Sequence, residues 1–160
     1  MEDNFSIIKI LAGHNKNGPV HEELPAMPLD DGSYRLLASP GLALGLAKND
    51  LISLNEEGKA RLLKHGGNFC IQIYLENLDE AKISRITELV NSKLAGSIDG
   101  TGGGALAFSI PVSNGFGKTN DIFDQVRSIT ESEYFYSNIY KNPENPNDET
   151  LTDWADKLVT

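Results

Sequence analysis

Cysteine is nearly absent from this chain. Cys70 stands alone, so no internal disulfide can staple the fold, and a cytoplasmic setting is the expectation. Long apolar runs are missing too. Nothing approaches the roughly 20 residues that cross a bilayer as a helix, and the opening MEDNFSIIKILAG is acidic where a secretory leader would be basic. No membrane partner is expected. Positive charge is scarce, with 14 Lys and Arg against 23 Asp and Glu for a net charge of −9. Neutralising phosphates requires the opposite sign, which argues against nucleic acid as a partner. Internal repeats and low-complexity stretches are also lacking.

What is present is enough apolar sequence to bury a core, 39% of 160 residues, and an uneven distribution of acid. Residues 1–75 carry seven Lys/Arg against nine Asp/Glu, whereas residues 76–160 carry seven against fourteen. From Glu131 onward only Lys141 and Lys157 oppose Glu131, Glu133, Glu144, Asp148, Glu149, Asp153 and Asp156. Such acidity keeps a protein soluble. It also supplies a surface complementary to a basic partner protein.

The pattern along the chain divides near Asn68. Before it, strands are expected at Phe5–Leu11, Ser33–Ala38, Leu51–Leu54 and Lys59–Lys64, separated by Asn17-Gly18-Pro19, Asp30-Asp31-Gly32 and Glu56-Glu57-Gly58. Short strands at this spacing predict a small barrel or curled sheet. After Gly66-Gly67, Phe69, Ile71, Ile73 and Leu75 alternate with Cys70, Gln72 and Tyr74, the period of a strand. Asp79 is placed to cap a helix carrying Ile83, Ile86, Leu89, Val90 and Leu94, with Gly96 as its stop. A short strand at Ser97–Asp99 and a second around Leu106, Phe108 and Ile110 follow. Thr119 or Asn120 caps a second helix with Ile122, Phe123, Val126 and Ile129, and Tyr134–Tyr140 closes the unit as a strand.

The expected architecture is therefore α+β: a small N-terminal β-barrel-like unit (1–67) packed on a ferredoxin-like split βαβ unit (68–141). An acidic tail with a short C-terminal helix (142–160) completes it. In that tail, Thr150-Leu151-Thr152-Asp153 resembles a capping box, and Leu151, Trp154 and Leu158 would share one helix face.

Several of these residues form a wider pattern. Glu23-Leu24 precede Asp31-Gly32-Ser33-Tyr34-Arg35-Leu36; then come Pro40, Gly45-Leu46-Ala47-Lys48-Asn49-Asp50, and Gly66-Gly67 ahead of the strand-helix-strand half. From about Val20 to Tyr140 the chain resembles the bacterial domain-of-unknown-function family 4265. It departs from the family pattern after Pro40, where Gly41-Leu42-Ala43 replace aromatics, and after Gly67, where Asn68-Phe69 replace Ser-Thr. The resemblance implies the architecture and brings no catalytic group with it.

Local imitations of reactive motifs fail on their chemistry. Ser113-Asn114-Gly115-Phe116-Gly117-Lys118-Thr119 sits where a phosphate loop would, but Val112 occupies the position of its first glycine. Gly102-Gly103-Gly104 reads as a hairpin turn. His14, His21, His65 and Cys70 share no metal-ligand spacing, and Cys70 lies inside an alternating strand, the place of a small buried side chain. Asp30-Asp31 and Glu56-Glu57 stand at turn tips open to water, whereas acid-base catalysis needs one carboxyl desolvated against the other. No cofactor and no metal are expected, and the chain is not read as an enzyme.

Aromatics and acids remain. If Phe135 and Ile139 face the helices with the other core residues, elimination puts Cys70, Gln72, Tyr74, Ala107, Ser109, Tyr134, Tyr136 and Tyr140 on the opposite sheet face. That face either packs on the N-terminal unit or binds a protein, since tyrosines give contact area and acids give charge selectivity. Trp154 either docks on the core or anchors a partner. The expected function is that of a non-catalytic immunity protein, a monomer that binds a cognate bacterial toxin domain and occludes its active site. A basic nuclease is the expected toxin. The candidate toxin-binding residues are Glu131, Glu133, Tyr134, Tyr136, Asp148, Asp153 and Trp154. The alternative is a small-ligand-binding or regulatory domain, with an enzyme as the third and least supported class.

Overall fold

The computed structural model describes residues 4–101 and 104–159. The chain forms two antiparallel sheets and three helices, a mixed α+β architecture. The first sheet is a meander of β1 (Ser6–Asn15), β2 (Gly18–Pro28), β3 (Tyr34–Leu36), β4 (Leu51–Leu54) and β5 (Ala60–Lys64), each paired with the next. Its inner face holds Ile8, Ile10, Leu24, Ala26, Leu36, Ala43, Leu46 and Ile52.

The expected barrel does not close. β1 and β5 are the two edges of the sheet, with no ladder between them. A bulge between Leu11 and Gly13 bends β1 toward the far side, where the Leu11 amide donates to Gly58 O at 2.9 Å without starting a ladder to β5. β3 has three residues and β4 four, too few to carry the curl through to a paired edge. β2 itself was not foreseen. Pro19, Pro25 and Pro28 argue against a strand, yet Pro25 sits opposite Ile7 and Leu24 opposite Ile8 in a continuous register.

The second sheet follows in the order β6 (Asn68–Tyr74), α1 (Glu80–Leu94), β7 (Ser97–Gly100), β8 (Ala105–Pro111), α2 (Gly115–Thr130) and β9 (Tyr134–Tyr136). The strands are arranged β7-β8-β6-β9. Asp79 caps α1 as the sequence predicts, accepting from Lys82 N at 2.8 Å. Gly102 and Gly103 of the expected hairpin turn lie outside the described residues. The core packs Phe69, Ile71, Ile73, Phe108 and Ile110 against Ile86, Val90, Leu94, Ile122, Phe123 and Val126.

α2 starts at Gly115, not at Thr119 or Asn120, and a single 3₁₀ turn, Val112–Asn114, leads into it. The stretch that imitates a phosphate loop is thus mostly helix. Phe116 within it packs 5.1 Å from Phe69, and this burial holds Gly117 in a helical turn it would not favour alone. α3 (Asp153–Asp156) is capped by Thr152, whose Oγ1 accepts from Ala155 N at 3.4 Å, two residues beyond the Thr150 cap expected. The tail returns along the chain before it: Tyr140 bridges Leu151, Lys141 N donates to Thr150 O, and Thr152 N donates to Ile139 O.

The two apolar cores are separate, and an irregular segment joins them. Residues 37–50, between β3 and β4, lie over the face of the second sheet that carries Cys70, Gln72, Ala105, Ala107 and Ser109. Small side chains make this face shallow: a Cβ on Gly41 would stand 3.6 Å from Ala105 Cβ and 3.9 Å from Ala107 Cβ. The buried Gln72 donates through Nε2 to Pro40 O at 2.9 Å and Ala43 O at 3.2 Å. Gly45 N donates to Ser137 O at 2.8 Å. Of the two roles expected for this face, packing on the first unit is the one the contacts display.

Asp50 secures the end of this segment. It is buried, and its carboxylate accepts from Ala47 N at 2.9 Å and Gly66 N at 2.7 Å. Removing it would leave two enclosed amides without an acceptor, so Asp50→Ala is expected to lower stability by about 3 kcal/mol in urea unfolding. A Cβ on Gly66 would fall 2.2 Å from the Asn49 carbonyl. Gly66→Ala is expected to cost about 2 kcal/mol or more by the same measurement. Parent-like midpoints for both variants would refute this account of the joint.

Candidate functional site

The residues singled out as a binding set occupy two regions. The first is the strand after α2. Glu131 ends that helix in the left-handed conformation (φ 58°), its amide donating to Arg127 O at 2.7 Å. Its side chain is exposed and borders a groove of about 730 Å³ between α1 and α2, with Lys82, Arg85, Glu88 and Gln125. Glu133 Oε1 stands 3.4 Å from Arg127 Nη1, and Arg127 Nη2 lies 3.4 Å from Asp124 Oδ1. These exposed ion pairs contribute little to stability and leave the region negative.

Tyr134 and Tyr136 do not lie on the open sheet face. Both point toward α2: Tyr134 packs 5.4 Å from Phe123, and Tyr136 packs 5.3 Å from Phe116 and 5.1 Å from Phe69. Their hydroxyls donate to α2 side chains, Tyr136 to Asn120 Oδ1 at 2.6 Å and Tyr134 to Asp124 Oδ1 at 3.1 Å. Phe135 takes the face assigned to them. Alternation carries phase only inside an unbroken strand, and β9 ends at Tyr136. Counting back from Ile139 through the irregular Ser137-Asn138 shifts the phase by one residue.

The second region is the tail. Trp154 stacks on His65 with centroids 3.9 Å apart and planes 4° from parallel, and lies 5.7 Å from Phe69. Nδ1 of His65 is 3.5 Å from Asp50 Oδ1, while its buried Nε2 has no partner among the described residues. The arrangement fits the tautomer with hydrogen on Nδ1, which leaves a lone pair, not an N–H, unsatisfied. Asp153 is exposed, 3.6 Å from Lys141 Nζ. Asp148 accepts from Asn142 Nδ2 at 2.7 Å and Thr150 N at 3.0 Å, and these bonds hold its carboxyl below the usual range.

Sequence reasoning missed the acids that organise the interior. Glu22, half-buried on β2, accepts from three successive amides, Gly41 at 2.6 Å, Leu42 at 3.0 Å and Ala43 at 2.9 Å. Asp99 on β7 accepts from Ser39 N at 2.8 Å, from Ser97 Oγ at 2.7 Å and from Ser109 Oγ. Ser109 thereby turns its own oxygen to Ser39 Oγ, 2.6 Å away. Cys70 is fully buried, its Sγ 3.4 Å from Pro40 O, and burial pushes the thiol up to about 12. Such a sulfur stays protonated and unreactive at neutral pH. At the Asp30-Asp31 turn, Asp31 Oδ1 accepts from Ser33 N at 3.0 Å and Ser33 Oγ at 2.5 Å, which lowers its pKa.

Elimination placed Tyr74 on the open sheet face but missed Phe135, its neighbour in an aromatic pair that stands in water. Tyr74 and Phe135 are 45% and 53% exposed, with centroids 6.2 Å apart. The signal was available in Gln72, a large polar residue at the centre of a buried strand, which marks the part of the face that must be covered. A further groove of about 970 Å³ runs between the edges of the first sheet and residues 138–145, lined by Ile10, His14, Leu44, Lys59, Leu62, Tyr140 and Lys141 among others.

The profile described as "Domain of unknown function (DUF4265)" matches residues 22–134. No curated protein matches the sequence. Among solved structures, the chain is similar to a crystal structure of a hypothetical protein from Neisseria gonorrhoeae at 17% identity and a TM-score of 0.61, over 86% of this chain and 96% of that one. That likeness extends to the fold alone. Among the described residues, no helix is long and apolar enough to cross a membrane.

The tyrosine contacts set the alkaline behaviour. Burial first, and then Asp124, raise the Tyr134 hydroxyl to about 12 from an ordinary 10.0, and burial also raises Tyr136. A raised pKa adds stability below the unfolded value that is lost as pH climbs through the folded one. Unfolding free energy should therefore fall between pH 10 and about 12, and fall less steeply in Tyr134→Phe. The depressed Asp148 acts in the opposite direction: its contribution is present above the ordinary 3.8 and lost as pH drops through its folded value. Urea titrations of parent, Tyr134→Phe and Asp148→Asn across pH measure both slopes, and variants indistinguishable from the parent would contradict the contacts.

Proposed function

The chain belongs to the domain-of-unknown-function family DUF4265, and we propose that it is a non-catalytic immunity protein that neutralises a cognate toxin domain by occluding its active site. One observation carries this reading: the carboxylates divide into two populations. Glu22, Asp50 and Asp99 are consumed as acceptors for backbone amides and serine hydroxyls. Glu131, Glu133 and Asp153 stand exposed, held by nothing stronger than surface ion pairs. Acids presented in this way, on a chain of net charge −9, suit recognition of a basic surface. A nuclease, which must bind phosphates, presents such a surface.

In this reading a curled, barrel-like unit (1–67) supports a ferredoxin-like split βαβ unit (68–141), and residues 142–160 add the tail. Glu131, Glu133, Asp148 and Asp153 steer the toxin. Tyr134, Tyr136 and Trp154, locked into internal contacts, give the surface rigidity and so reduce the entropy lost on binding. The protein acts as a monomer in the cytoplasm. The groove of about 970 Å³ favours a second reading, a small-ligand or regulatory domain, because its size suits a metabolite.

Co-purification with a basic toxin domain encoded by an adjacent gene, and rescue of cells expressing that domain, test the first reading. Capture and rescue are expected, and failure of both would sink it. Glu131→Lys/Glu133→Lys/Asp153→Lys is expected to slow association by about tenfold at low salt, with the difference shrinking as salt rises. A rise in melting temperature with a metabolite, in a chain that captures no toxin, would shift the choice to the second reading.

A further inference from the structure

We infer that the partner docks as an extended, cationic segment against the free edge of β9, with its arginine or lysine side chains over the Tyr74–Phe135 pair. This deepens the reading above and rests on its basic partner.

β9 is the outer strand of its sheet and pairs only with β6, in the register Ile71↔Tyr136, Gln72↔Phe135 and Ile73↔Tyr134. Ser137 N donates to Cys70 O, one residue further along the same register. Hydrogen-bonded pairs alternate in an antiparallel ladder, so Phe135 shares the inward set with Ser137. The amides and carbonyls of Tyr134 and Tyr136 then point away from β6, and no backbone bond occupies them among the described residues. An added strand can take up these groups, as in other complexes built by strand addition.

Side chains of an added strand would alternate between two faces, one acidic and one aromatic. On the helix side they would meet Asp124 and Glu133, whose carboxylates flank Arg127. On the other side they would meet Tyr74 and Phe135. Burial first, and then the Glu22 carboxylate, raise the Tyr74 pKa and keep its hydroxyl protonated. That hydroxyl donates to Gln72 Oε1 at 2.5 Å, and Gln72 is fixed in turn by Pro40 O and Ala43 O. The ring is thus held in place before any partner arrives. An exposed, rigid aromatic pair is suited to a guanidinium or ammonium group.

The test uses the full chain and three synthetic octapeptides: alternating Arg-Val, alternating Glu-Val, and Arg-Val carrying N-methyl groups on every second residue. Amide NMR titrations should show Arg-Val perturbing Tyr134, Phe135 and Tyr136. The Glu-Val and N-methylated peptides should bind at least about tenfold more weakly, as should Arg-Val to Phe135→Ser, whose melting temperature should match the parent. Absence of Arg-Val binding, perturbations centred elsewhere, or equal binding of the N-methylated peptide would overturn the inference. The toxin domain separates the two levels. Undiminished capture by Tyr74→Ser/Phe135→Ser would overturn the edge assignment while the immunity role stands. Peptide binding at β9 without any toxin capture would support the edge and count against the role.

Discussion

The constraint on which the rest of the structure depends is the capture of backbone amides by carboxylates along residues 37–50. This segment has no strand or helix to satisfy its peptide groups, yet much of it is enclosed, and an enclosed irregular segment must find partners for every N–H and C=O. Glu22 reaches it from the first sheet and Asp99 from the second, while Asp50 closes it at its own end. Bonds to a charged acceptor are shorter, stronger and more directional than neutral ones. The two apolar cores are separate clusters, and apolar contact is non-directional. The hydrogen bonds of the segment between them are therefore what fix how one sheet sits on the other.

That joint determines which part of the molecule faces water. The shallow bed of Ala105, Ala107, Ser109, Cys70 and Gln72 is the reverse side of a strongly apolar sheet, and without a cover it would expose several polar atoms and a thiol. Pro40, Gly41 and Ala43 cover it, with Gln72 binding two of their carbonyls. The cover stops before the outer edge of the sheet, and Tyr74 and Phe135 lie past it. Their exposure is a consequence of where the segment ends. It is not a failure of burial elsewhere in the sheet.

Much of this was readable in the sequence because it rests on local chemistry. The Asp79 cap, the helical spacing from Ile83 to Leu94 and the alternation from Asn68 each follow from one stretch of chain. Errors arose where a distant contact overrode a local signal. β2 tolerates its prolines because β1 lies along it. α2 begins at Gly115 because Phe116 is drawn into the core beside Phe69. The faces of Tyr134 and Tyr136 depended on a phase lost at Ser137. Of the candidate site, the acids were visible as composition, but their division was not. No local signal distinguishes Glu22, which binds three amides, from its neighbour Glu23.

This division links architecture to recognition. Enclosed charges are screened less by salt than exposed ones. Glu22 already acts on Tyr74 in this way, so the field at the aromatic pair includes a contribution from the joint as well as from surface acids. An attraction built from both sources should weaken with ionic strength yet keep a residue that salt does not remove. The same acid therefore orders the backbone cover and favours a cation on the rings beyond it, which makes the strength of the joint and the polarity of the surface a single property of the fold.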